Sequence, residues 1–365
     1  MSYSNDKRTV MTLDAGGTNF VFSAIQGNKE ILAPITKKAS PDDLEKCLTT
    51  IKKGFHEISA QLKDVPVAIS FAFPGPADYE HGIIGDLPNF PCFRGGVALG
   101  PMLEAEFGIP VFINNDGSLF AYGEALAGCL PEINKQLESA GNPKRFKNLL
   151  GITLGTGFGG GAVVNKELLI GDNGTGGDVW VFRNKKIPDC IIEESVSIRA
   201  IQRVYGEFSG DLRKLSPEDI FYIAEGKIEG DQEAAVASFK ELGEMAGDTI
   251  AQANTILDGI VVIGGGLIGA AKYILPAIIT ELNGNLSILT GEHFPRSQAK
   301  AYDLSNKDQL AQFLNSKAKD IPIPGTSKSI PYTAEKLTGI MVSKLGASKA
   351  ISLGAYAFAL HQIDS

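Results

Sequence analysis

The sequence predicts an α/β protein, because apolar runs of strand length alternate with helical patterns along the chain. Residues 41–62 carry apolar side chains at three- and four-residue spacing, which indicates a helix, and residues 65–73 form an apolar strand. A strand, a glycine-rich turn with threonine and a second strand occur twice, in residues 10–25 and 149–164. With 365 residues, the chain is long enough for two domains with separate cores.

Composition and charge exclude several classes of function. The net charge of −8 argues against nucleic acid or an anionic membrane as a main partner. The four cysteines lie far apart without a CxxC pair, which favours free thiols in a reducing compartment. The first nine residues are polar, and the apolar residues 259–271 are interrupted by glycines and too short to cross a bilayer. We therefore expect a cytoplasmic protein that binds neither nucleic acid nor a membrane.

Two glycine-rich turns are candidates for phosphate binding, because glycine lets backbone amides approach phosphate oxygens closely. The first turn contains Asp14, Gly16, Gly17, Thr18 and Asn19, and the second contains Gly155, Thr156 and Gly157. Asp14 could hold a hydrated magnesium ion, and Thr18 could donate a hydrogen bond to phosphate. Ordinary hairpins with glycines for turn geometry are the alternative. The internal repetition favours phosphate binding.

A third glycine-rich turn, Gly264, Gly265 and Gly266, follows the apolar run 260–263. Such a turn can pack against a flat adenine and ribose because no side chain is in the way. Tight packing between a strand and a helix explains the same three glycines equally well.

The stretch 109–124 is the candidate for the chemistry. A short apolar strand at 111–113 ends at Asn114, Asn115 and Asp116, and a helical pattern resumes at 119. A carboxylate at the carboxyl end of a strand lies where open α/β sheets bind ligands, and it could accept a proton from a substrate hydroxyl. The alternative is that Asp116 or Ser118 only caps the following helix.

These stretches together resemble the ROK family of sugar kinases, in the superfamily of actin, hexokinase and the Hsp70 ATPase. The matching pieces, in the family's order, are Asp14 to Thr18, Pro74-Gly75-Pro76, Leu87 to Phe90, Asn115-Asp116, Leu154 to Gly161, Gly264 to Gly266 and Leu353-Gly354-Ala355. The resemblance implies two ribonuclease-H-like domains around a central cleft. We place the first domain at 1–120 plus 350–365 and the second at 121–349, with an extra segment of open role near 286–345.

The resemblance also implies roles for individual residues. Asp116 matches the general base that deprotonates the sugar hydroxyl, and Asn89 and Asn115 match asparagines that hold sugar hydroxyls. The three glycine-rich turns match the sites of ATP, used with Mg²⁺. A homodimer is expected, since dimers are common in the family and among proteins generally.

Two departures from the family pattern concern the sugar site. Asp178 stands for the family's glutamate, Trp180 for a glycine and Val181 for a histidine, where the acidic residue and the histidine touch the sugar. Of the family's zinc knuckle only Cys190 remains, so we expect no structural zinc. Glu193 best matches a further sugar-binding glutamate.

The leading interpretation is an ATP-dependent kinase for a hydroxyl of a sugar or sugar derivative, with the sugar itself left open by the sequence. The alternative is a catalytically inactive sugar-binding or regulatory member of the family, which the loss of the histidine favours. A repressor with an N-terminal helix-turn-helix is a third hypothesis, but only about nine residues precede the first strand, and the chain is acidic.

Overall fold

The computed structural model describes residues 3–16, 18–75, 77–85, 90–316 and 319–365. It is a mixed α/β protein, as predicted, and it consists of two compact units. The first unit comprises Met1–Gly128, Gly161–Gly177 and Lys344–Ser365, and the second comprises Cys129–Gly160 and Asp178–Ser343. This division differs from the boundaries given by the sequence at 121–128, 161–177 and 344–349, and those boundaries stay a prediction.

The strands, in chain order, are β1 (Val10–Ala15), β2 (Asn19–Gln26), β3 (Lys29–Glu30), β4 (Ile35–Lys38), β5 (Ala68–Ala72), β6 (Ala77–Asp78), β7 (Ile83–Ile84), β8 (Val97–Ala98), β9 (Val111–Asn114), β10 (Leu149–Leu154), β11 (Phe158–Val164), β12 (Glu167–Leu168), β13 (Ile260–Gly264), β14 (Asn285–Ser287), β15 (His293–Pro295), β16 (Lys300–Asp303), β17 (Lys319–Pro322), β18 (Ser329–Tyr332) and β19 (Leu337–Val342).

The helices are α1 (Leu44–Ser59), α2 (Leu99–Phe107), α3 (Asp116–Leu126), α4 (Cys129–Ser139), α5 (Ile198–Ser209), α6 (Pro217–Ala224), α7 (Gln232–Leu257), α8 (Ala271–Leu282), α9 (Lys307–Leu314) and α10 (Ala347–Asp364). Short 3₁₀ helices cover Pro91–Phe93, Val179–Val181, Ile192–Glu194 and Gly266–Ala270.

The first unit is built on a sheet in the order β3-β2-β1-β5-β9, with β4 also paired to β2. Strand β1 is antiparallel to β2 and parallel to β5, and β5 is parallel to β9. The helix and strand expected at 41–62 and 65–73 are α1 and β5, and α1 begins where Asp43 Oδ1 accepts a hydrogen bond from Lys46 N at 3.1 Å. The core beneath the sheet is rich in buried phenylalanine, including Phe22, Phe55 and Phe71.

Helix α10 packs on α3 within the first unit through paired glycines. A Cβ at Gly354 would collide with Leu119 O, and one at Gly123 would collide with Ala350 O. The two backbones are therefore in direct contact at this crossing. This packing explains why residues 121–128, at the end of α3, belong to the first unit.

The second unit is built on the parallel strands β10, β13, β19 and β16, in that order. The long helix α7 begins at Asp231, whose carboxylate accepts a hydrogen bond from Ala234 N at 2.9 Å. It packs against α8 where a Cβ at Gly247 would lie 2.9 Å from the Cβ of Glu281. The apolar spacing of residues 217–256 by itself predicts two helices, and the structure has α6 and α7 there.

Residues 284–336 of the second unit contain α9 and two separate two-stranded hairpins, β14–β15 and β17–β18. The hairpins expose apolar side chains, among them Leu286, Phe294, Ile321, Ile330 and Tyr332. Among the described residues, no helix is both long and apolar enough to span a membrane.

Candidate active site

The carboxyl ends of three parallel strands meet at one edge of the first unit's sheet. Asp14 on β1 pairs in register with Ala72 on β5, and Ala72 pairs with Asn114 on β9. Asp14 and the polar stretch that follows β9 therefore lie at the same sheet edge, with one strand between them. Ligands of open α/β sheets bind at such edges.

Helix α3 begins directly after β9, and Asn115 caps it. Asn115 Oδ1 accepts hydrogen bonds from Gly117 N at 2.8 Å and from Ser118 N at 3.4 Å. The capping alternative for Asp116 or Ser118 is therefore wrong, because the oxygen that satisfies the free amides of the helix belongs to Asn115. Asp116 Oδ1 accepts a hydrogen bond from the neighbouring Gly117 N at 2.8 Å.

The electrostatic surroundings of Asp116 suit a proton acceptor. Asp116 is exposed to solvent by surface area, but the protein atoms near its carboxyl displace part of the water around it, and this desolvation raises the pKa of the carboxyl above its ordinary value. The negative charge of Asp14 raises that pKa further, whereas the amide of Gly117 lowers it. The result is a stronger base than an ordinary aspartate.

The first glycine-rich turn joins β1 to β2. Gly16 N donates to Asn19 O at 3.0 Å, and Thr18 O accepts a hydrogen bond from Ala39 N at 2.9 Å, so backbone contacts hold the turn. The side chains of Thr18 and Asn19 are exposed and available to a ligand. Two predicted site residues, Gly17 and Asn89, lie outside the residues that the structure describes.

The second glycine-rich turn, between β10 and β11, is fixed by one hydrogen bond within the turn and one to the start of α5. Gly155 N donates to Gly157 O at 3.1 Å, and Gly155 O accepts a hydrogen bond from Ile198 N at 3.0 Å at the start of α5. Thr156 at its tip is exposed. Glu193 Oε2 accepts a hydrogen bond from Phe158 N at 3.0 Å, so Glu193 touches this turn directly.

The third glycine-rich turn lies beside the second within the same unit. Gly264 pairs with Thr153, and Gly265 has a φ of +96° and approaches Leu154 so closely that a Cβ would collide with Leu154 O. Tight packing therefore explains Gly265. It does not explain Gly266, where an added Cβ would meet no atom of the described residues within 4 Å.

Asp178 and Glu193, the acidic candidates for sugar binding, both lie beside short 3₁₀ helices of the second unit. Asp178 precedes Val179–Val181, in which Trp180 is 40% and Val181 49% exposed. Glu193 lies in the helix Ile192–Glu194, and its Oε1 is 3.3 Å from Arg199 Nη2.

The structure thus groups the predicted residues into two sets. The first unit holds Asp14, Gly16, Thr18, Asn19, Asn115 and Asp116, and the second holds Gly155, Thr156, Gly157, Asp178, Glu193, Gly264, Gly265 and Gly266. Sequence reasoning missed Arg199, for which the only signal was its position a few residues after two glutamates. It also missed Asn184, a wholly buried polar residue.

Metal ligation by clustered side chains is not evident in the part of the chain that the structure describes, where no group of three or more His, Cys, Asp or Glu residues could hold an ion. The absence of structural zinc stays a prediction.

Parallel strands that end at glycine-rich turns, with a carboxylate at the sheet edge, define a protein of the actin-like ATPase fold. A model of the ROK family matches residues 10–287. The chain belongs to the ROK family.

Comparisons with known proteins agree with this assignment. A crystal structure described as glucokinase from Parabacteroides distasonis ATCC 8503 is 60% identical, covers 99% of both chains and has a TM-score of 0.90. A glucokinase of Thermotoga maritima is 28% identical over 285 residues, which are 73% of this chain and 85% of the relative. An N-acetyl-D-glucosamine kinase of Vibrio cholerae is 28% identical over 273 residues, which are 70% of this chain and 83% of the relative.

Proposed function

We propose that this protein is an ATP-dependent sugar kinase that phosphorylates a hydroxyl of a hexose or of a hexose derivative. The observation that carries the proposal is the 60% identity, over 99% of the chain, to a protein described as a glucokinase. The relatives described as N-acetyl-D-glucosamine kinases extend the candidate substrates to acetylated amino sugars.

Asp116 is the general base in this proposal. Its carboxylate takes the proton of the attacking sugar hydroxyl, and its raised pKa strengthens it for that task. Positioning of the reactants and neutralisation of phosphate charge supply most of the remaining rate enhancement in phosphoryl transfer.

ATP is held by the glycine-rich turns in this proposal. The turns at 16–19 and 155–157 contact the phosphates through backbone amides and the hydroxyls of Thr18 and Thr156, and 264–266 contacts the adenosine. Magnesium, when bound, neutralises phosphate charge. Asp14 fits a hydrated Mg²⁺ because such an ion needs only one or two carboxylates beside water and phosphate.

The sugar is held by Asn89, Asn115, Asp178 and Glu193 in this proposal. Asn115 Oδ1 is occupied by the cap of α3, which leaves its Nδ2 as the group offered to a sugar oxygen. Carboxylates such as Glu193 accept hydrogen bonds from sugar hydroxyls, which suits a polyhydroxylated substrate.

A coupled assay of ADP release tests the function. The protein with ATP and Mg²⁺ is screened against glucose, mannose, their amino derivatives and their N-acetyl derivatives. Sugar-dependent ADP release is the expected result. Sugar binding without ADP release would instead support the inactive sugar-binding alternative, for which Val181 in place of the family's histidine is the favouring observation.

A homodimer in the cytoplasm completes the proposal. The exposed apolar side chains of the hairpins β14–β15 and β17–β18 support association, because isolated two-stranded hairpins are marginally stable. We propose a second copy of this chain as their partner. Sedimentation equilibrium should give twice the chain mass of 38.7 kDa, and a mass of one chain would contradict it.

A further inference from the structure

The loop between the 3₁₀ helices Val179–Val181 and Ile192–Glu194 is closed by its own backbone. Ile192 N donates to Phe182 O at 2.7 Å, Asn184 N donates to Cys190 O at 3.0 Å, and Cys190 N donates to Ile187 O at 2.8 Å. We call residues 182–192 the neck loop. It leads directly into Glu193.

One wholly buried side chain, that of Asn184, fills the neck loop. Its Oδ1 accepts hydrogen bonds from Lys186 N and Ile187 N, both at 3.0 Å. Its Nδ2 donates to Ser195 Oγ at 2.7 Å and to Ile191 O at 3.5 Å. Both ends of the amide are therefore engaged, and removing the amide would leave buried donors and acceptors without partners.

Asn184 contacts the chain on both sides of Glu193. Ile191 lies two residues before Glu193, and Ser195, which is also buried, lies two residues after it. The amide thus joins the neck loop to both ends of the 3₁₀ helix Ile192–Glu194. This helix carries the carboxylate that accepts a hydrogen bond from Phe158 N at 3.0 Å.

The neck loop also makes ion pairs with two helices of the second unit. Lys185 Nζ is 3.0 Å from Glu244 on α7 and 3.0 Å from Glu281 on α8, and Lys186 Nζ is 3.0 Å from Glu241. Ion pairs that remain partly exposed to water contribute little to a fixed geometry. The buried amide therefore constrains the backbone on each side of Glu193 more than these ion pairs do.

We propose that Asn184, acting with Ser195, is a positioning residue that fixes Glu193 for sugar binding. The inference rests on the proposed function, in which Glu193 contacts the sugar. Asn184 does not touch substrate itself. It holds the backbone on each side of Glu193, so that the carboxylate remains at the second glycine-rich turn and in reach of the sugar.

The test replaces Asn184 by alanine and uses a matched control. Asn142 is another buried asparagine of the same unit. Its Nδ2 donates to Leu314 O at 3.0 Å, and its Oδ1 accepts from Lys144 N at 2.9 Å, away from Glu193. Asn184→Ala and Asn142→Ala should both lower the melting temperature, since each leaves buried groups unpaired.

Of these two asparagine variants, only Asn184→Ala should weaken sugar binding. We expect its sugar KM and its calorimetric Kd to rise about tenfold, with kcat within about threefold of wild type, because misplaced binding groups lose much of their effect. Asn142→Ala should keep both constants within about twofold. Asn184→Ala with an unchanged sugar Kd and a lowered melting temperature would overturn the inference, because the role would then be structural.

Ser195→Ala keeps the inference falsifiable if Asn184→Ala does not fold. It removes one hydrogen bond of the amide and should raise the sugar Kd about threefold, while an unchanged Kd counts against the inference. The double variant should lose less binding free energy than the two single variants lose together, because both substitutions remove the same contact. A wild-type protein that neither binds nor phosphorylates any screened sugar would overturn the proposed function and, with it, this inference.

Discussion

At the scale of the residue, Asp116 is the side chain on which turnover depends in our proposal. We predict that Asp116→Asn lowers kcat by about 10²- to 10⁴-fold, the usual cost of losing a general base. ADP release measured with the best sugar checks this. Asp42→Asn, which removes a carboxylate at an exposed position of the same unit, is the control and should leave kcat unchanged. Activity of Asp116→Asn within twofold of wild type would remove Asp116 from the mechanism.

The raised pKa of Asp116 has opposite effects on activity and on stability. The carboxylate is the active form, so kcat/KM should fall as pH drops through a pKa above that of an ordinary aspartate. Stability changes the other way, because folding favours the protonated form of Asp116. This contribution to stability is complete at pH values below the pKa of the unfolded state. It is lost as pH rises through the pKa of the folded state.

These linked effects make a second prediction. At neutral pH, Asp116→Asn should melt at or above the wild-type temperature, since the amide has no charge to desolvate, and the difference should shrink as pH falls. Melting curves of both proteins between about pH 4 and pH 7 check this. A melting temperature of the variant clearly below wild type at neutral pH would show that the carboxylate stabilises the fold.

At the scale of the element, the crossing of α3 and α10 depends on the absence of two side chains. We predict that Gly354→Ala destabilises the protein by about 1–3 kcal/mol or more, because the new methyl group would collide with backbone at Leu119. Gly206→Ala is the control. It lies inside α5 with its nearest neighbour for a Cβ at an ordinary 3.6 Å, so alanine should stabilise that helix slightly. Denaturant unfolding distinguishes the two, and equal stabilities would contradict the packing argument.

Adjacent glycines of the third turn should also respond differently to alanine. Gly265→Ala should impair folding, because its φ is +96° and Leu154 leaves no room. Gly266→Ala should fold normally and bind ATP at least about tenfold more weakly, because the methyl group enters the space given to adenosine in our proposal. Calorimetric ATP titration and a melting curve check both variants. Wild-type ATP affinity in Gly266→Ala would place adenosine elsewhere.

At the scale of the whole molecule, the features that could be predicted from the sequence are those that show in the spacing of apolar residues and in the order of the elements. The fold class, β9 with Asp116 after it, and α6 and α7 follow from local apolar patterns, and the fold confirms them. Side-chain contacts could not be predicted from these patterns. That Asn115 rather than Asp116 caps α3 depends on side-chain rotamers, and that Asn184 contacts Ser195 depends on how a loop closes. The residues 161–177 show the same limit, because their place in the first unit is fixed by tertiary packing alone.

Choice of sugar is a property to which both units contribute in our proposal. The resemblance to the family matches Trp180 and Val181 to a glycine and a histidine, and both side chains are substantially exposed. Valine offers no hydrogen bond, so a sugar hydroxyl that is buried against it on binding stays unpaired, at a cost of about 1–3 kcal/mol or roughly 5- to 150-fold in affinity. Trp180 adds an apolar face that favours a less polar or differently shaped substituent on the ring.

We therefore predict that at least one amino, acetylated, epimeric or deoxy analogue exceeds glucose in kcat/KM. Val181→His should shift the ratio toward glucose by about fivefold or more, because it restores the missing hydrogen-bonding group. Val65→His, at an 82% exposed valine of the first unit, should leave the ratio unchanged. If glucose is the best substrate of the wild-type enzyme, or if both histidine variants give the same ratio, then Trp180 and Val181 do not set specificity, and Asp178 and Glu193 hold an ordinary hexose without them.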